Sequence, residues 1–123
     1  MTVPIVYHEG YVVPLPEGHR FPMPKFGIIH DLLCEEGITT WGASFRPDLP
    51  DREAVALVHQ KPYLDAFASG DLDPKAIRRI GLPWSDSLVE RTFRAVGGTI
   101  LTARLALKEG IACNSAGGTH HAH

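Results

Sequence analysis

The sequence predicts an α/β fold, with a small, mostly parallel sheet and flanking helices, on three observations. Short apolar stretches stand near both ends, at Pro4-Ile5-Val6-Tyr7 and from Ile111 to Ala116. An amphipathic helix from about Ser85 to Gly110 runs straight into the second of them. Helix followed by strand is the second half of a right-handed crossover, which joins parallel strands. About three short strands and five or so helices are expected, in one domain covering residues 1–123.

The first strand is short and ends at Tyr7. Residues 8–24 carry four prolines and two glycines, so they form a loop. Phe26, Ile29, Leu32 and Leu33 recur at helical spacing and predict a helix over Lys25–Glu36, stopped by Gly37 in the left-handed region. Trp41 to Phe45 reads as a second strand closed by Arg46-Pro47. Asp51 is expected to cap a short helix whose Ala54, Leu57 and Val58 face inward. Another helix follows His59 through about Ser69, and Asp73-Pro74 opens one more, since proline fits the first helical position. Ser85 caps the longest helix, with Asp86 at the positive end of its dipole. Val89, Phe93, Val96, Ile100 and Leu107 trace its apolar face, and Arg91, Arg94, Arg104 and Lys108 are expected in solvent. Gly97-Gly98 in mid-helix costs about 1 kcal/mol per glycine relative to alanine, which close packing or a kink would account for.

Composition narrows the classes of function. An apolar fraction of 44% and a charged fraction of 21% are ordinary for a globular chain. A net charge of −2 leaves no basic footprint, so nucleic acid is not an expected partner. No apolar run reaches membrane-spanning length and no signal pattern opens the chain, so no membrane contact and a cytoplasmic location are expected. Cys34 and Cys113 lack metal or redox spacing, and their apolar neighbours suggest buried free thiols.

Chemistry concentrates in the last thirteen residues, Ile111-Ala-Cys-Asn-Ser-Ala-Gly-Gly-Thr-His-His-Ala-His123. A strand that delivers polar side chains at its carboxyl end is where open α/β sheets place ligands. Gly117-Gly118 permits a sharp turn and close backbone approach, letting His120 and His121 reach one pocket. The structural alternatives are a frayed terminus or a cloning scar, and the strand running into the motif without a linker speaks against the scar. His59 reads more readily as a structural histidine than as a ligand.

Gly117-Gly118-Thr119-His120-His121-Ala122 resembles the tandem-histidine motif of the histone deacetylase superfamily, including its bacterial acetoin-utilisation and acetylpolyamine-amidohydrolase branches. Tyr7-His8, Gly18-His19-Arg20-Phe21-Pro22-Met23, His59 with Tyr63, Pro83-Trp84-Ser85 and Val96-Gly97-Gly98-Thr99 fall in the order that family shows. The likeness covers the whole chain but about the first third of the usual family domain. It implies part of an arginase/deacetylase-type three-layer fold. It also implies a zinc-dependent hydrolase of acetylated or acylated amines, either small amines or acetyl-lysine. His121 would be the principal general base and His120 an acid or electrostatic partner. Arg20 would line an inner cavity that serves acetate release, and Gly118 would lie against substrate or product. On sequence alone Arg20 serves equally as a surface ion-pair partner.

The Asp-x-His and second aspartate that hold zinc in that family, and its carbonyl-polarising tyrosine, have no counterpart in these residues. Zinc is therefore expected for the full-length family member and none for this chain, which should be catalytically silent by itself. Gly81 stands about where histone-directed members carry an aspartate, which argues against a peptide-substrate mode. Three readings stay open: the amino-terminal piece of a deacetylase, a module that self-associates through an exposed sheet edge as a homo-oligomer, and a small metal-binding protein using its terminal histidines.

Overall fold

The computed structural model describes residues 2–118. It contains five α-helices, α1 (Lys25–Glu35), α2 (Arg52–Ala56), α3 (Lys61–Ser69), α4 (Pro74–Ile80) and α5 (Asp86–Glu109), with a 3-10 turn at Glu9–Tyr11. Two strands of two residues each, β1 (Ile5–Val6) and β2 (Cys113–Asn114), pair in parallel, Ile5 opposite Cys113 and Val6 opposite Asn114. The other side of β1 meets only a single bridge, Val6 to Phe45, also parallel.

The parallel pairing agrees with the sequence reading, but the three-layer arginase/deacetylase architecture does not survive. The described chain is mostly helical around a two-stranded sheet. Two local causes are visible. Residues 41–44, expected as a strand, form turns held by their own side chains: Ser44 Oγ donates to the Thr40 carbonyl at 2.8 Å and Ala43 N donates to Thr40 Oγ1 at 3.1 Å. Serine and threonine thereby offer the backbone an alternative to a ladder. At the other end, Ala116 N bonds Asn114 Oδ1 at 3.1 Å, so β2 stops after two residues.

Helix boundaries follow local chemistry more closely. Ser85 accepts from Leu88 N at 3.0 Å, and Asp73 accepts from Lys75 N at 3.0 Å with Pro74 in the first helical position. Asp51 occupies the cap position of α2 but makes no side-chain cap bond. Gly37 follows the cap of α1 with φ 71°, and Gly70, Gly81 and Gly110 end α3, α4 and α5 at positive φ.

Burial departs from the simple periodic reading in three places. α1 buries Phe26 and His30, four residues apart, and leaves Ile28, Ile29 and Leu32 exposed. α2 is only five residues long and buries Val55, so Leu57 and Val58 lie beyond it, 87% and 84% exposed rather than inward. Arg91, expected in solvent, is 5% exposed. Cys113 is exposed and Cys34 half-buried, so the thiols are free but not both buried.

Two apolar clusters form the core. Tyr7, Tyr11, Val13, Met23, Phe26, Leu82 and Leu88 make one; Val55, Leu64, Phe67 and Phe93 make the other. α5 supplies a residue to each and thus ties them together. The adjacent glycines explain how it comes so close: a Cβ on Gly97 would overlap the Asp48 carbonyl oxygen, and one on Gly98 the Tyr11 hydroxyl. Close packing, the first of the two expected explanations, accounts for both.

Candidate functional site

The segment that runs toward the tandem histidines leaves β2 at the carboxyl ends of the parallel pair, and four side chains brace it. Asn114 Oδ1 accepts both the Tyr11 hydroxyl at 3.0 Å and Ala116 N. Burial pushes the Tyr11 phenol up to about 12, against smaller opposing effects from Asn114 and the Arg91 and Arg94 charges. The hydroxyl is therefore protonated at neutral pH and donates. Arg91 donates from Nε to the Tyr11 carbonyl at 3.1 Å and from Nη2 to the Gly117 carbonyl. Its guanidinium lies 5.0 Å from the centroid of Phe26, which packs against Gly117. Burial lowers the Arg91 pKa, but a guanidinium starts so high that it remains charged.

Gly118, exposed, lines a cavity of about 650 Å³ together with Arg91 and side chains of α3, α4 and α5. Most of the wall is apolar; His59, Tyr63, Arg79 and Thr92 supply polar groups. His59 is exposed with its ring 6.2 Å from that of Tyr63. His120, His121 and His123 lie outside the described residues. Arg20 is exposed, lines neither this cavity nor the smaller one beneath the proline-rich loop, and has no ion pair among the described residues. The structure thus joins Gly118 to Arg91 and places Arg20 elsewhere.

Three other histidines are held in place by hydrogen bonds. His19 Nδ1 accepts from Phe21 N at 3.1 Å, leaving Nε2–H to donate to the Gly81 carbonyl at 3.2 Å. His8 Nδ1 accepts from Gly10 N at 2.9 Å, and burial followed by the Arg94 charge lowers its pKa. Its 3.6 Å approach to Glu9 is accordingly no ion pair at neutral pH, and Glu9 pairs instead with Arg46 at 2.6 Å. His30, fully buried, stacks on Tyr7 at 4.1 Å and meets Trp41 edge-on at 4.5 Å. Ser44 Oγ spends its proton on the Thr40 carbonyl, so His30 Nε2–H is the donor in their 2.7 Å bond.

Among the described residues, no three His, Cys, Asp or Glu side chains converge as an ion-binding group. The described part of the chain therefore does not by itself fit a zinc site. No helix among these residues is long and apolar enough to cross a membrane.

The sequence reading missed Arg91, Tyr11, Asn114 and His30. A signal for Arg91 was present: Leu88, Arg91, Ala95 and Gly98 share one helical stripe, and the glycine marks that stripe as the close-packed one.

No family model matches the chain. It is 59% identical over 122 residues to an uncharacterized protein of Picosynechococcus sp., covering 99% of this chain and 41% of that protein. It is 27% identical over 128 residues to histone deacetylase 2 of Arabidopsis thaliana, covering 97% of this chain and 33% of the plant protein. The chain spans less than half the length of these curated relatives.

Proposed function

We propose that this chain is the amino-terminal part of a zinc-dependent enzyme that removes acetyl or other acyl groups from amines. In this reading the chain supplies the enzyme's proton-handling histidines and does not turn over by itself. The carrying observation is the tandem-histidine motif, in a chain whose nearly full length aligns with a plant histone deacetylase. The bracing of Asn114–Gly117 by Tyr11, Arg91 and Phe26 supports it, since a general base must be delivered at hydrogen-bonding distance from its proton. His121 takes the proton of the attacking water, and His120 stabilises charge near the leaving amine. The metal-holding carboxylates belong to the rest of the enzyme, because the sequence has no Asp-x-His. Acetylated small amines or acetyl-lysine are the substrates.

The test is turnover of an acetyl-lysine reporter and an acetylated polyamine by the complete zinc-loaded reading frame that carries these residues. His121→Ala should lower kcat/KM by about 10²–10⁴-fold, the usual contribution of a general base. The 123-residue chain should be silent. A frame that closes without Asp-x-His, a complete protein that hydrolyses no acylated amine, or full activity in His121→Ala overturns the reading. Turnover by the purified 123-residue chain overturns its silence.

A further inference from the structure

We propose that Arg91 is the positioning residue for the glycine pair that leads to the tandem histidines: its guanidinium fork fixes the Gly117–Gly118 peptide. The catalytic part of this inference rests on the deacylase reading; the structural part stands without it.

Arg91 is 5% exposed, yet it forms no ion pair with any described carboxylate. A buried cation without a counter-ion is costly unless its donors are satisfied. Here the compensation is specific: one carbonyl from the 3-10 turn, one from the glycine pair, and the face of Phe26. An apolar side chain could fill the same space without desolvating a charge. What it could not do is hold two carbonyls from opposite ends of the chain at once, as a rigid fork does.

The place held is the one that most needs an anchor. Glycine has the greatest backbone freedom of any residue, and two in succession lead out of β2. Upstream, Asn114 fixes Ala116 N. Fixing the Gly117 carbonyl orients the whole peptide plane, including the Gly118 N–H. Phe26 closes off the side of Gly117. Arg91 thus holds the glycine pair beside the cavity that Gly118 also lines.

Two measurements test this. In the 123-residue chain, Arg91→Met keeps an apolar stem and removes both donors. The Gly117 and Gly118 amide resonances should lose their dispersion, and their heteronuclear NOE should fall toward coil values, while α5 and core resonances keep theirs. Unchanged glycine signals in the folded variant overturn the proposal. Should Arg91→Met fail to fold, Arg91→Lys, with a single-point donor, is read the same way with the same expected and overturning results. In the complete zinc-loaded enzyme, Arg91→Lys should lower kcat by about tenfold to a hundredfold, with KM unchanged. Added guanidinium at millimolar concentration should restore part of the loss in Arg91→Ala. Wild-type kcat in Arg91→Lys, or a loss in Arg91→Ala that guanidinium leaves untouched, overturns the role of the fork. An inactive wild-type enzyme defeats the deacylase reading and leaves the glycine signals to decide the role of Arg91.

Discussion

Gly98→Ala sets two known effects against each other. Alanine in a helix is favoured over glycine by about 1 kcal/mol, so propensity alone predicts stabilisation. The new Cβ, however, would fall on the Tyr11 hydroxyl. Tyr11 is fully buried and its hydroxyl is bonded to Asn114 at 3.0 Å, so the ring has no free direction in which to yield. Overpacking of this kind costs about 1–3 kcal/mol, and a displaced Tyr11–Asn114 bond adds about 1 kcal/mol. The balance is a destabilisation of about 1–3 kcal/mol, or a fall in Tm of roughly 4–12 °C at this chain length. Urea and thermal melts of the wild type, Gly98→Ala, Tyr11→Phe and the double variant measure it. Removing the hydroxyl relieves the clash, since the next atoms, Asn114 Nδ2 and Tyr11 Cζ, stand at 3.1 Å. The double variant should therefore be more stable than the two single losses summed, by about 1 kcal/mol. A Gly98→Ala protein more stable than wild type, or a strictly additive cycle, refutes the close-packing argument.

Acid should weaken the fold partly through His30, whose pKa burial lowers despite the opposing Asp31 and Glu9 charges. With the folded value below the unfolded one near 6.5, the stabilisation is complete above that value and is lost as pH falls through the folded one. His8 is shifted the same way, so His30→Gln should flatten, not abolish, the fall in Tm between pH 7.5 and 5.5, about a unit either side of the unfolded value; an unchanged slope counts against it. Ser85→Ala removes the acceptor of Leu88 N and should lower the unfolding free energy by about 1 kcal/mol in urea melts. Wild-type stability in that variant would show that solvent caps α5 equally well.

Helix ends were legible because their causes are local. Lys25–Glu35, the Asp73-Pro74 start and the Ser85 cap depend on residues within a turn of the boundary, and so does the left-handed Gly37. The glycine pair of α5 was legible as a cost in need of a reason, although its partners, Asp48 and Tyr11, come from distant segments. Strand extent was not legible, because Thr40 and Ser44 could serve a ladder or their own backbone, and nothing in the residue types decides which. Arg91 was misread for a similar reason. A basic residue on a helix is expected in water, and the two carbonyls and the ring that satisfy it are brought together only by the tertiary fold. On α1, the stacking of His30 on Tyr7 outweighed aliphatic Ile29 and Leu32 for the buried face. The terminal histidines were singled out by the strand and glycine pair that lead to them and by resemblance to a family motif, while the side chains that brace Asn114–Gly117 were not.

Tyr11 and Asn114, joined by one hydrogen bond, stand 103 positions apart. The entropy of closing so long a loop grows only with the logarithm of its length, so ten extra residues between them cost about 0.1 kcal/mol. Insertions and deletions in the connections between α1 and α5 are therefore nearly free as far as this closure is concerned. The Asn114–Gly117 stretch can keep its contacts with Tyr11 and Arg91 while the surface segments between them drift in length.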